Sequence, residues 1–302
     1  QLQQAAQRCL ALADDAAWRQ VRVDRKLRLW LVANQRWTDL EQLIHQVLLY
    51  GAIPPTVIQH GRVYAVAAHS SGAADAPVRY LELAESQTAL SGCIEHVTWR
   101  DQQLEAHGWA SIRGLDLGSE TPELTAELVE PITGYSYPCD VTQLQRPAAN
   151  EWAGFRYQDV ATAGFVVGID TQRIDRIAGR WQLRLTVRAH GLERTGPILA
   201  VAPGGAGHLM WGRNLRDADD TFRVVPKLDP QLGFVLHVRP ERVQATALST
   251  DGAGTAAGVL RLVYTGLGEL AAVFAVSAFG RAEGSLDAAG ADGSQHFQVE
   301  LP

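Results

Sequence analysis

The 302-residue sequence predicts a mostly β protein, with an N-terminal helical segment followed by two tandem antiparallel β-sandwich modules. Three observations carry this. Apolar residues recur every three to four positions over the first fifty residues, and from Val57 they alternate with polar ones instead. The glycine-rich stretch Pro203-Gly204-Gly205-Ala206-Gly207 then separates two runs of short strands. At ~100–200 residues per domain, the length accommodates two or three separate cores.

Within residues 1–55, read as a helical bundle, Leu40, Leu43, Ile44, Val47 and Leu48 form the stripe of an amphipathic helix. Thr38 with Glu41 reads as a capping box at its start, and Gly51 followed by Pro54-Pro55 ends it. Val23, Leu27, Trp30 and Leu31 mark a second helix, and Leu2, Ala6, Cys9 and Leu10 a third. So small a bundle needs another surface to lean on. Residues 56–91 read as a β connector: Val57-Ile58 and Val63 to Val66 flank a His60-Gly61 turn, and Val78 to Leu83 forms one further strand.

Residues 92–203 read as the first sandwich. Trp181, Leu183, Leu185 and Val187 point one way while Arg180, Gln182, Arg184 and Thr186 point the other. Leu124, Ala126 and Leu128 repeat the pattern, as do Leu104, Ala106, Ala110 and Ile112. The second sandwich, 207–302, takes strands at Phe222–Leu228, Gly233–Val238, Val243–Leu248, Val259–Tyr264, Leu270–Phe279 and His296–Leu301.

Composition excludes several classes. A net charge of −6 argues against a nucleic-acid partner, because phosphate neutralisation needs concentrated Lys and Arg. No apolar run approaches the ~18–20 residues of a transmembrane helix. The three cysteines are far apart and in no C-x-x-C pair, which excludes a disulfide framework and a structural zinc site and fits a reducing compartment. Position 1 is Gln, Met210 is the only methionine and no leader is visible, so the sequence reads as a piece of a longer chain.

Catalytic motifs fare poorly. Gly252-x-Gly254 with Gly258 lies between strands, without the helix N-terminus that a pyrophosphate requires. Asp217-Ala218-Asp219 has the carboxylates for a divalent cation, but it sits in a polar loop before a β domain and reads as a surface turn. The histidines are scattered and no G-x-S-x-G elbow occurs. Asp101, Glu105, Asp116 and Glu120 read as a charged sandwich face rather than a glycosidase pair. The expectation is a chain without a catalytic centre, metal or cofactor.

The aromatics offer the candidate surfaces. If Leu104, Ala106, Ala110 and Ile112 face inward, Trp109 shares the outer face with Glu105, His107 and Arg113, where it can stack on a sugar ring or pack on a neighbouring domain. The stretch from Gly134-Tyr135-Ser136-Tyr137 to Trp152-x-x-Phe155-x-Tyr157 reads as a long loop of the kind that is often functional. Trp109, Tyr135, Tyr137, Trp152 and Tyr157 are therefore the candidate carbohydrate-binding residues.

Two strand pairs resemble a known module. Ile94-Glu95-His96-Val97-Thr98-Trp99 with Leu104 to Ile112 resembles a "V-x-W-x-x-x-x-L-x-x-x-G-x-A-x-I" opening, and Ala163-Gly164-Phe165 to Ile169-Asp170 with Gly179 to Leu183 resembles its "GF-x-x-x-ID … G-x-W-x-L" continuation. Such modules follow the catalytic domain in bacterial family 2 glycosyltransferases and CDP-glycerol glycerophosphotransferase proteins of wall teichoic acid-type polymer synthesis. The helical stretch Val23–Tyr50 is similar to the linker there. The resemblance implies immunoglobulin-like modules in a non-catalytic C-terminal region that promotes oligomerisation or weakly engages a polysaccharide or polyol-phosphate acceptor. It also implies a catalytic domain before Gln1 and a cytoplasmic location, peripheral at the inner membrane face. Arg173, Arg176, Arg180, Arg184 and Arg188 form either a basic patch for an anionic acceptor or one solvated strand face. The alternatives are a purely structural oligomerisation scaffold and a glycan hydrolase on a β scaffold.

Overall fold

The structure, a computed structural model, describes residues 1–51, 53–66, 74–154, 156–174, 179–202, 213–216, 221–240, 243–250, 255–262, 273–277, 280–286 and 294–300, with side chains to 202 and over 223–238. The glycine-rich break at 203–207, the Asp217-Ala218-Asp219 motif, the Gly252-x-Gly254 turn and Arg176 lie outside the described residues. Two compact units emerge: 1–175, 180–211 and 225–236 form the first, and 176–179, 212–224 and 237–302 the second. The protein is mostly antiparallel β with a small helical N-terminal segment.

In the first unit the helices are α1 (Leu2–Leu12), α2 (Asp15–Gln20), α3 (Val23–Ala33) and α4 (Trp37–Tyr50). Val23, Leu27, Trp30 and Leu31 of α3 are all buried, as their spacing predicts. The capping box is not formed. Arg36 stands at the N-cap of α4 and pairs with Asp39 at 2.7 Å, which leaves Thr38 inside the first turn. Gly51 ends the helix at φ +85°, its N–H donating to the Val47 carbonyl. Leu43 of the apolar stripe is buried, whereas Trp37, Ile44 and Leu48 are exposed on one side.

The hairpin β1 (Thr56–Gln59) and β2 (Arg62–Ala65) turns at His60 and Gly61, both at positive φ as a tight two-residue turn requires. The strand expected at Val78–Leu83 is instead a helical turn, α5 (Val78–Leu81). Pro77 supplies a helix-compatible φ of −54° and its carbonyl accepts from Tyr80 N–H, while the Tyr80 ring packs edge-on against Trp18 at 5.4 Å. Only Glu82 forms a strand-like bridge, opposite Tyr64.

The β layers follow: β3 (Leu90–Arg100), β4 (Gln103–Ile112), β5 (Glu123–Val129), β6 (Ser136–Leu144), helix α6 (Ala148–Ala153), β7 (Gly164–Asp170), β8 (Gly179–Ala189) and β9 (Leu192–Pro197). The stretch 134–157, expected as one long loop, is thus largely strand and helix. Along β8 the alternation is as predicted, with Trp181, Leu183, Leu185 and Val187 buried. Strand order runs β8-β5-β6-β7-β4-β3, with β9 beside β8. Strand β6 belongs to two layers: Ser136–Cys139 pair with β5, and Asp140–Leu144 pair with β7. Sandwich corners are built in this way.

On β3 the register shifts between Ile94 and His96 opposite β4. The bulge interrupts the alternation and leaves Cys93, Ile94 and Glu95 buried in succession. Gly108 sits where a Cβ would overlap the Cys93 carbonyl and crowd the Phe165 ring. Gly108→Ala is therefore expected to destabilise the protein by about 2 kcal/mol, since backbone cannot yield as a flexible side chain does. Urea unfolding checks this, and a wild-type midpoint contradicts it.

Strands β10 (Arg213–Arg216), β11 (Thr221–Asp229) and β12 (Gly233–Pro240) come next. Asp229 caps the β11–β12 turn by accepting from the Gln231 and Leu232 amides, and Val225, Phe234, Val235 and Leu236 are buried. In the second unit β13 (Val243–Thr250), β14 (Thr255–Leu262), β15 (Val273–Ser277), β16 (Gly280–Leu286) and β17 (Ser294–Glu300) form an antiparallel sheet in the order β13-β14-β17-β16-β15. The run 270–279, expected as a single strand, contributes β15, whose Ser277 pairs with Gly280 at the start of a hairpin.

Candidate functional site

The point where β6 changes layers opens a groove of about 480 Å³ on the first unit. Tyr137, Cys139 and Asp140 line it from β6, Asp101 and Gln102 from the β3–β4 turn, and Asp170 and Arg173 from the end of β7. Local sequence explains the framing turns. Asp101 adopts φ +51°, a left-handed conformation that aspartate tolerates better than most residues, and so lets β3 reverse into β4. Asp170 accepts from the Gln172 amide and pairs with Arg173 at 3.4 Å, which fixes the opposite rim. The other arginine of the groove, Arg100, pairs with Glu105 at 3.2 Å.

An aromatic cluster adjoins the groove. Tyr135 and Tyr137 meet edge-to-face at 4.9 Å, and Tyr137 lies 5.2 Å from Trp181. Tyr135 is 56% exposed, while Trp181 is buried and serves as the floor. The preceding turn is held by Glu130, whose carboxylate accepts from the Ile132 amide and from the Thr133 amide and hydroxyl. Those Thr133 hydrogen bonds hold the Glu130 carboxyl below its ordinary pKa, so the turn that positions Tyr135 stays knit at neutral pH. Burial pushes the Cys139 thiol up to about 12, so this cysteine keeps its proton, and its S–H donates to the Tyr137 carbonyl at 3.9 Å.

The five aromatic candidates do not converge on one surface. Trp109 is only 3% exposed, which corrects the expected outward platform. Its face of β4 is half-covered at Glu105 and His107 but closed at Trp109 and Ser111, where the buried Cys93 thiol, on the cross-strand partner, sits beside the indole N–H. Tyr157 packs edge-on against Tyr50 at 6.4 Å as part of the α4 packing, and Trp152 stands half-exposed on α6. Tyr135 and Tyr137 are the pair brought together. Sequence reasoning missed Asp140, Asp170 and Gln102, whose approach depends on long-range strand pairing.

The arginine row is largely neutralised. Arg180 pairs with Asp229 at 3.1 Å and Arg188 with both Glu123 and Glu193. Among the described residues no group of three or more His, Cys, Asp or Glu side chains is placed to hold a metal ion. None of the described helices is long and apolar enough to cross a membrane.

No protein-family model matches the chain, and no curated protein matches it. Solved structures do. The chain is similar to S. aureus TarS. The first TarS structure aligns at a TM-score of 0.41 and 11% identity over 97% of this chain and 48% of the other. A structure of TarS residues 217–571 aligns at 0.46 and 9% identity over 100% of this chain and 78% of the other. The chain therefore spans about half the length of the first TarS chain.

Proposed function

We propose that this chain is a non-catalytic accessory region of a cell-wall polymer glycosyltransferase of the teichoic acid type, and that its β6 groove holds the polysaccharide acceptor weakly. The observation that carries the reading is the groove itself. A half-buried Tyr137, with the exposed Tyr135 packed against it, stands beside the amides of Gln102 and Gln172 and beside the Asp170 carboxylate, which Arg173 pairs. Aromatic faces with planar hydrogen-bonding groups suit a hydroxyl-rich ring better than an isolated ion. The strand motifs over 94–112 and 163–183 support the polymer-synthesis context.

In this reading a family 2 catalytic domain on the N-terminal side is the partner, and the exposed Trp37, Ile44 and Leu48 of α4 face it. The two units assemble protomers and present repeated weak sites, which a long acceptor engages by avidity. The protein then works in the cytoplasm, at the inner face of the membrane. Affinity electrophoresis in gels cast with purified wall polymer tests the central claim. Tyr135→Ala is expected to weaken retardation about threefold to tenfold, the worth of one stacking contact, whereas Trp152→Ala leaves it unchanged. Equal retardation of wild type and Tyr135→Ala defeats the reading.

A further inference from the structure

A second cleft of about 420 Å³ lies elsewhere on the first unit, among the N-cap of α3, the end of α4, the strand end after β4 and the segment after α6. Its charged lining consists of three arginines, Arg22, Arg113 and Arg156, with no carboxylate among the lining residues. In a protein of net charge −6 that is a local inversion of sign. Arg22 pairs with Asp24 at 3.0 Å. Among the described residues no carboxylate pairs with Arg113 or Arg156, and the Arg156 guanidinium is steadied by lying 4.1 Å over the Tyr50 ring. Gln158 also lines the cleft. It is 7% exposed, and its Oε1 has no hydrogen-bond partner among the described residues. A buried, unpaired amide oxygen is costly and calls for a donor.

The two features specify different parts of one ligand. Guanidinium groups match the oxygens of a phosphate in shape and charge. The Gln158 side chain lines the same cleft, and an unpaired amide oxygen suits a hydroxyl hydrogen rather than a bare anion. We propose that this cleft binds a hydroxyl-bearing phosphate monoester, with the phosphate on Arg113 and Arg156 and a neighbouring hydroxyl donating to Gln158 Oε1. The site is separate from the aromatic groove and does not depend on its function.

Isothermal titration calorimetry of the full chain at low ionic strength, with glucose 6-phosphate, inorganic phosphate and glucose as probes, tests this. Glucose 6-phosphate is expected to bind saturably and more tightly than either part alone. Arg113→Ala and Arg156→Ala are each expected to weaken it about tenfold, as loss of a charge-assisted hydrogen bond does. Arg156→Ala also removes a contact with Tyr50, so melting temperatures accompany both variants. Arg113→Ala has no ion pair to lose among the described residues and isolates the binding effect. The proposal is overturned by absence of saturable binding, by binding that survives both substitutions, or by glucose binding as well as its phosphate.

Discussion

Replacing Lys26 by methionine is expected to abolish a rise in stability that the wild-type protein shows between pH 8 and 9. Lys26 is completely buried on α3, with its Nζ donating to the Glu82 carbonyl at 2.7 Å. Burial lowers its pKa from 10.5 to about 8, against the opposing pull of Glu82. In the unfolded chain the amine keeps its proton up to 10.5, whereas the folded protein releases it near 8. Over that window the unfolded state binds more protons at this site, so Lys26 by itself contributes a rise of about 1 kcal/mol between pH 8 and 9. From pH 8 upward two thiols act in the opposite sense and offset much of that gain, because burial raises Cys93 from 9.0 to about 11 and Cys139 from 9.0 to about 12. The folded state retains those protons while the unfolded chain loses them, which lowers stability. A maximum near pH 9 results. Lys26→Met is expected to lose about 0.7 kcal/mol from pH 8 to 9, the contribution of the two thiols alone, and, relieved of a buried charge but short of one hydrogen bond, to be about 1–2 kcal/mol more stable than wild type at pH 7. Urea midpoints at half-unit pH steps measure both effects, and an undiminished rise in the variant refutes the assignment to Lys26.

Arg146→Ala is expected to be among the most damaging single changes outside the hydrophobic core. The Glu95 side chain, swung inward by the β3 bulge, is almost wholly buried, and Arg146 grips it through Nε at 3.0 and 2.8 Å and through a terminal nitrogen. Without the guanidinium the carboxylate faces the interior of the fold alone. Breaking a buried pair costs about 3–5 kcal/mol, and because Arg146 is about one-third exposed we expect about 3. Glu95→Met is expected to be milder, since the freed arginine can reach water. The double variant Glu95→Met/Arg146→Met is expected to recover most of the loss. A double-mutant cycle in urea reads the coupling directly, and additive single effects would exclude a functional ion pair.

How far the sequence foretells the structure depends on whether the forces at a residue are local. On β8 one face meets the core and the other meets solvent, so Trp181 to Val187 alternate as written. On β4 the same rule holds through His107 and fails at Trp109, because beyond that point both faces of the strand are covered. The segment Val78–Leu83 has the periodicity of a strand, yet Pro77 and the Trp18–Tyr80 contact turn it into helix. The site divides in the same way. Tyr135 and Tyr137 are two residues apart and legible as a pair. Asp101, Asp140 and Asp170 share a groove only because β3–β4, β6 and β7 are folded together, and Arg22, Arg113 and Arg156 come from still more distant positions.

Strand β6 has a further consequence. Since its first half is hydrogen-bonded into one layer and its second half into the other, sliding the layers past one another must break the strand's own ladder at Cys139–Asp140. Residues on either side of that bend, Tyr137 and Asp140, are therefore held at a fixed spacing by two different neighbouring strands.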